Sequence, residues 1–163
     1  MPGEKKSGVK EIRATRFILE DEKGKLRAEL CMGKDGPWLS LYDKNSKPRA
    51  VLSVRKDGPE LALYDEDSKL RAGLSVLKEG RVLMPHAENG KTRAVLSVLK
   101  DGPELRLYDK NGKPRAGLMI DNDGPVLSFL DEIGMVRVGL SVGKDGPMLA
   151  LLDENGKVIC GSP

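Results

Sequence analysis

Residues 61–76 read LALYDEDSKLRAGLSV, and versions of this phrase recur along the chain at a constant interval of 22 residues. One arginine marks the interval in six successive copies: Arg27, Arg49, Arg71, Arg93, Arg115 and Arg137. No insertion or deletion interrupts the spacing between them. A fixed period of this kind predicts a tandem array of stacked units, none of which can bury its apolar face alone.

Within one copy, apolar residues alternate with polar or small ones, which is the period of a half-buried β-strand. Leu61 and Leu63 share one face of a predicted strand, and Leu74 and Val76 share one face of the next. Ser75 falls between the last two and therefore points to the opposite face. We expect the leucine-bearing face to be buried and the serine-bearing face to be exposed to solvent.

Two kinds of turn connect these strands. The first follows the pattern Asp-x-x-Gly-Lys, in which the aspartate can accept hydrogen bonds from nearby amides and the glycine can adopt a positive φ. Ser46 and Ser68 replace the glycine in two copies. The second turn, Lys-Asp-Gly-Pro, pairs a flexible glycine with a proline that cannot donate a ladder hydrogen bond. The structural turn residues predicted in this way are Asp21, Gly24, Asp43, Asp65, Gly90, Asp109, Gly112, Asp131, Gly134, Asp153 and Gly156.

The repeat also sets the expected domain organisation. Residues 17–163 are predicted to form a single β-repeat domain of about seven units, each of 22 residues and two strands. Residues 1–16 are polar and lack the repeat, so we expect a mobile N-terminal tail there.

Several all-β architectures could accommodate such units. A β-solenoid would stack equivalent arginines about 4.8 Å apart, and like charges at that distance are destabilising. A closed barrel of this size would leave a lumen that small side chains cannot fill. A propeller built from 44-residue blades would contain fewer than four of them in this chain.

A trimeric β-shaft avoids these problems, and it is the architecture that we predict. Three chains would pack their apolar faces around a common axis, with the turns projecting outward. A β-solenoid is the first alternative, followed by a monomeric sandwich or propeller. In architecture alone, the predicted shaft resembles the repeat-built stalks of phage and viral fibres, and no functional residue is carried over from them.

Charge and cysteine usage narrow the range of partners and compartments. The chain has 28 basic and 25 acidic residues, and both signs are interleaved through every repeat, so no nucleic-acid partner is expected. No apolar run is long enough for a membrane helix, and no signal peptide is expected. Cys31 and Cys160 occupy strand positions of opposite parity, which argues against a disulfide between them. We therefore expect the protein to be located in the cytoplasm, or in a particle assembled there.

The sequence offers no convincing catalytic or metal site. His86 is the only histidine, and no second histidine, cysteine or carboxylate cluster accompanies it at a suitable spacing. We expect no cofactor. The best candidate for recognition is a face bearing Trp38, Tyr42, Tyr64 and Tyr108, which could bind a glycan or a protein through many weak contacts.

The function predicted from these observations is structural and non-enzymatic. The chain would be a shaft or spacer segment of a fibre or self-assembled particle, with itself as partner in a homotrimer. The alternative is a multivalent binding module that uses the tyrosine-bearing face.

Overall fold

A computed structural model describes residues 11–162, which form fourteen β-strands and no helix. Most of the predicted mobile tail lies outside the described residues, and the first strand begins at Arg16, the last residue assigned to that tail. The strands are β1 (Arg16–Glu20), β2 (Leu26–Gly33), β3 (Gly36–Tyr42), β4 (Pro48–Arg55), β5 (Gly58–Tyr64), β6 (Leu70–Leu77), β7 (Gly80–Pro85), β8 (Ala94–Leu99), β9 (Gly102–Tyr108), β10 (Pro114–Asp121), β11 (Gly124–Leu130), β12 (Val136–Gly143), β13 (Gly146–Leu152) and β14 (Val158–Ser162).

The strands form one open antiparallel sheet in which spatial order follows chain order from β1 to β14. Contacts between strands in the described part of the chain join only consecutive strands, so the sheet is a single layer. The all-β fold and its repeated hairpins are as predicted. The alternatives of a solenoid, a sandwich and a propeller are wrong for residues 11–162, because equivalent strands lie two apart and these residues form no second layer.

Seven tight hairpin turns, one in each repeat, are formed by the Asp-x-x-Gly-Lys segments and their variants. In the turn at Asp65, the amides of Asp67 and Lys69 donate to Asp65 Oδ1, each at 2.9 Å. Ser68 has a φ of 62°, which shows that serine adopts the left-handed conformation that glycine takes in the other copies. Most of these hairpins have a register shift next to the turn, as expected when one residue of a hairpin loop has positive φ.

The fourth hairpin departs from the pattern. Its turn has Ala87 where the other turns have aspartate, and Pro85 replaces a leucine in the preceding strand. Pro85 has no amide hydrogen to donate, and the ladder beyond it is reduced to an isolated bridge between His86 and Thr92. The repeat therefore continues through this hairpin with weaker pairing near its turn.

In five of the six turns of the Lys-Asp-Gly-Pro kind, the glycine lies against the next strand, and Gly146 is the exception. A Cβ atom built on Gly58 would lie 1.9 Å from the carbonyl oxygen of Val76. Gly146 has a φ of 109°, in the same positive region as the 130° of Gly58. Among the described residues, no atom lies within 4 Å of the Cβ position of Gly146. Gly58 is therefore required for two reasons, its positive φ and its close contact with the carbonyl of Val76, whereas Gly146 is required for its positive φ alone.

This difference gives a matched pair of variants. Both Gly58→Ala and Gly146→Ala place an L side chain at positive φ, a strain of about 1–2 kcal/mol. Gly58→Ala also forces β5 and β6 apart, so we expect it to be more destabilising by a further 1–3 kcal/mol or so. Chemical denaturation of both variants at equal protein concentration measures the difference. Equal losses would show that the carbonyl contact is unimportant.

Candidate functional site

The face of the sheet that carries the repeated leucines, here called the leucine face, consists of three columns that run across the strands. The central column is occupied by leucine in every strand from β2 to β13: Leu30, Leu39, Leu52, Leu61, Leu74, Leu83, Leu96, Leu105, Leu118, Leu127, Leu140 and Leu149. Such uniformity across twelve strands indicates that all of them meet the same environment.

Two flanking columns complete the leucine face. The proline flank lies beside the Lys-Asp-Gly-Pro turns and comprises Met32, Pro37, Val54, Pro59, Val76, Arg81, Val98, Pro103, Ile120, Pro125, Val142 and Pro147. The alanine flank lies beside the tight turns and comprises Ala28, Leu41, Ala50, Leu63, Ala72, Pro85, Ala94, Leu107, Ala116, Phe129, Val138 and Leu151. Arg81 is the only charged residue in the three columns.

Nothing within the described chain covers the leucine face. Nine of the twelve central leucines are exposed, with between 38% and 50% of their surface accessible, and the other three are half-buried. The buried hydrophobic residues of the described chain are only Ala62 and Ala150, which lie on the opposite face. A single chain therefore leaves the leucines uncovered, as expected for units that cannot bury their apolar face alone, and their burial by other copies stays a prediction.

The opposite face, here called the serine face, differs from expectation. Ser97 is 2% exposed, and its hydroxyl donates to Glu104 Oε1 at 2.9 Å. Ser40 and Ser53 are likewise buried. These side chains are short and lie between longer neighbours on the same face, so neighbouring side chains cover them without a second layer. The prediction that the serines face solvent is wrong at these positions.

The structure places all four predicted aromatic residues on the serine face but does not align them. Trp38 lies opposite Cys31 and Ser53, in a column nearer the Lys-Asp-Gly-Pro turns. Tyr42, Tyr64 and Tyr108 lie at the other end of their strands, beside the tight turns. All four side chains are half-buried. The predicted binding face is therefore a tyrosine row with a separate tryptophan.

The repeated arginines pair with the aspartates of their own turns. In four hairpins the arginine forms an ion pair with the aspartate six residues before it: Arg27 with Asp21, Arg49 with Asp43, Arg71 with Asp65, and Arg137 with Asp131. This pairing offsets the charge of four of the six repeated arginines.

The same edge of the sheet links one hairpin to the next. Arg27 donates a hydrogen bond to the main-chain carbonyl of Asp43. Lys47 Nζ donates to the carbonyl of Glu66 at 2.6 Å, and Lys113 Nζ donates to that of Glu132 at 2.7 Å. These side chains reach across from one tight turn to the following one, so they help to fix the spacing between hairpins.

The tight turns also hold their aspartates in the ionised form. The amide of Lys69 keeps the pKa of the Asp65 carboxyl below its ordinary value, assisted by the amide of Asp67 and the guanidinium of Arg71. The pKa of Asp21 is lowered in the same way, first by the amide of Lys25 and also by Arg27. Folding therefore favours the charged aspartate.

A buried cluster near the first strand was not predicted from the sequence. Glu29 is 8% exposed and accepts hydrogen bonds from the hydroxyl of Tyr42 at 2.6 Å and from Arg16 Nη2 at 2.7 Å. The Tyr42 hydroxyl and the Arg16 guanidinium lower the pKa of Glu29. The cluster joins the exposed strand β1 to β2 and β3. The signal in the sequence was a glutamate in a column where the other copies have valine or glycine.

In the described part of the chain, neither the histidine nor the cysteines belong to a catalytic or metal-binding site. Nδ1 of His86 lies 3.4 Å from Thr92 Oγ1, and its Nε2 is buried without a hydrogen-bond partner. Cys31 and Cys160 are free and lie on the serine and leucine faces, respectively. Residues 11–162 contain no group of three or more His, Cys, Asp or Glu side chains that could hold a metal ion.

Comparison with known proteins provides no functional assignment. No protein-family model matches the chain, and no curated protein matches its sequence significantly. Among the residues that the structure describes, no helix is long and apolar enough to cross a membrane. The uncovered leucine face is consequently the most informative functional feature of this molecule.

The aspartates of the tight turns should make the stability of the fold depend on pH. Folding lowers the pKa of five of them, namely Asp21, Asp43, Asp65, Asp109 and Asp131, so their contribution to stability is complete above the unfolded value of about 4. It is lost as the pH falls through the folded pKa. We expect Asp65→Asn to lower the thermal midpoint at pH 7 and the difference from the parent to shrink towards pH 3.

The control for this experiment is Asp67→Asn, which changes an exposed carboxylate of the same turn. It should have little effect on the thermal midpoint at either pH. A deficit in Asp65→Asn that stays constant from pH 7 to pH 3 would contradict the role given to the ionised aspartate.

Proposed function

We propose that the chain is a non-enzymatic structural protein that self-associates through its leucine face to form a shaft or spacer segment of a fibre or assembled particle. The observation that supports this proposal most strongly is the exposure of the leucine face along the whole sheet. Soluble monomers rarely expose contiguous apolar patches larger than a few hundred Å². Eleven steps of about 4.8 Å, from β2 to β13, and a width of about 23 Å give this face a flat area of roughly 1,200 Å².

Energetics favour a partner on this face. Burial of a large apolar side chain supplies about 1.5–3 kcal/mol, whereas ordering each residue costs about 1.5 kcal/mol. A single layer that leaves its leucines half-exposed obtains only part of the free energy available from burying them. A stable interface needs about 800 Å² per partner, and the leucine face exceeds that area.

The repeat itself favours a second copy of the chain as that partner. The leucine face presents one pattern every 22 residues without interruption. A partner that packs along all of it must carry a matching period, and another copy does so necessarily. Closed homo-oligomers are also the usual form of soluble assemblies. The partner is therefore the chain itself, with the homotrimer as the expected form.

A second candidate function is multivalent binding of a glycan or protein. It is favoured by the position of Tyr64 and Tyr108, which lie in one column of the serine face, the face that assembly would leave free. As location we propose the cytoplasm or a particle assembled there, a setting supported by the two free thiols.

Two leucines in β6 provide a matched test of self-association. Leu74 and Leu77 are 46% and 45% exposed in the single chain, but they lie on opposite faces. We expect Leu74→Asp to abolish assembly, because an unpaired carboxylate buried at an interface costs several kcal/mol. We expect Leu77→Asp to leave assembly intact. Sedimentation velocity measures both, and equal behaviour of the two variants would contradict the use of the leucine face.

The role as a spacer predicts the effect of deletions. Removal of residues 71–92 takes out one strand pair and two turns, so the flanking strands can join in their original register. We expect a folded particle that is shorter by about 10 Å. Removal of residues 71–81 alone reverses every later strand and should prevent folding. Electron microscopy and circular dichroism compare the two variants, and aggregation of the longer deletion would contradict the spacer role.

A further inference from the structure

We infer that three copies assemble in parallel and at the same height, so that the central leucine column of each copy faces a threefold axis. The assembly is then a triangular prism whose walls are the three sheets and whose strands run across the axis. This inference rests on the proposed function and specifies its geometry. It is drawn from the width of the sheet and from the sizes of the residues in the three columns.

Strand length fits a triangular cross-section. A strand of seven residues, such as β3 or β5, spans about 23 Å, and a triangle with that side has its centre about 7 Å from each wall. Packed sheets lie about 10 Å apart, so side chains from each wall fill about 5 Å. Three walls therefore leave little unfilled space at the axis. Four walls of the same width would place the axis about 11 Å away and leave a lumen.

The sizes of the residues along each strand also fit a triangular cross-section. The central column faces the axis, and its side chains must fill the space between the wall and the axis. This column is leucine in all twelve strands from β2 to β13. In β4, β6 and β8 the proline flank has valine and the alanine flank has alanine, whereas the odd-numbered strands other than β7 have proline on the proline flank. Every strand from β2 to β13 thus has a residue smaller than leucine on at least one flank, which suits walls that converge at the corners. Two flat sheets would keep a constant separation and would have no need for this taper.

The two flanks are complementary at each height. In every strand from β2 to β13, at most one of the two flank residues is larger than valine. For example, Pro59 accompanies Leu63 in β5, and Ile120 accompanies Ala116 in β10. At a corner of a parallel prism, the proline flank of one copy meets the alanine flank of its neighbour at the same height. A large side chain therefore always meets a small one.

The irregular strand β7 distinguishes parallel from antiparallel packing. Here the proline flank has Arg81 and the alanine flank has Pro85, so the large and small positions are exchanged. In a parallel assembly Arg81 meets Pro85 of the neighbour, and the complementarity is kept. An antiparallel pair centred on the array would place β7 against β8, where Arg81 meets Val98 and Pro85 meets Ala94. That packing crowds one flank and leaves a gap at the other.

A corner of the prism is also a place where the charged side chain of Arg81 can stay in contact with water. A guanidinium in the middle of an apolar interface would be desolvated without a partner, which is costly. Arg81 is exposed and lies in the second residue of β7, next to a Lys-Glu-Gly turn at the edge of the sheet. Its long side chain can pass the edge and keep the charged group in water. The only charge of the leucine face is thus compatible with a prism.

The number and orientation of the chains can be measured on the full chain. A cysteine-free background, with Cys31→Ser and Cys160→Ser, receives a nitroxide label at Glu154→Cys in the exposed turn between β13 and β14. The expected mass is three times 17.8 kDa, about 53 kDa. Parallel copies should give label separations below about 40 Å by pulsed electron resonance, whereas centred antiparallel copies should give about 58 Å.

A label at Lys78→Cys, near the middle of the array, serves as the control. It should give short separations in either orientation and so shows that labelled chains assemble. A two-chain mass, or a separation of about 58 Å at position 154, would overturn the threefold parallel prism while leaving self-association intact. A folded single chain of 17.8 kDa would instead overturn the proposed function.

Discussion

Burial of the leucine face is the constraint on which the rest of the structure depends. A sheet of one layer keeps its backbone hydrogen bonds satisfied, but it provides no second surface against which its apolar side chains can pack. The described chain has fourteen strands and buries only two hydrophobic side chains, both alanines. In the assembly that we propose, the hydrophobic effect acts mainly between copies of the chain, and folding and assembly become a single process.

Local interactions set the spacing on which that process relies. Ion pairs such as that of Arg71 with Asp65 stabilise each tight turn, and the side chain of Lys47 reaches the following turn. On the other edge, Gly58 brings one strand close to the carbonyl of Val76. An inserted residue would disturb contacts with the hairpins on both sides and would shift the leucines of every later strand relative to a partner. The uninterrupted period is the expected result of these constraints.

Much of this fold could be predicted from the sequence because its determinants are local. Alternation places Leu96 and Ser97 on opposite faces, and turn chemistry places Asp65 at the start of a hairpin loop, whichever residues lie further away. The covering of each face could not be predicted, since it depends on neighbours in space. Ser97 is buried by its neighbours and hydrogen-bonded to Glu104, whereas Leu96 is 50% exposed because the described residues form no second layer. The cluster around Glu29 and the contact of Gly58 were missed because each joins residues of neighbouring strands.

The central claim is that the leucine face is covered by other copies and that the single chain is not stable alone. Unfolding monitored by circular dichroism over a hundredfold range of protein concentration tests this most directly. Folding coupled to assembly predicts that the thermal midpoint rises with protein concentration and that dissociation and loss of β-structure coincide. A cooperative transition with the same midpoint at every concentration would show that the chain folds as a monomer and would contradict the claim.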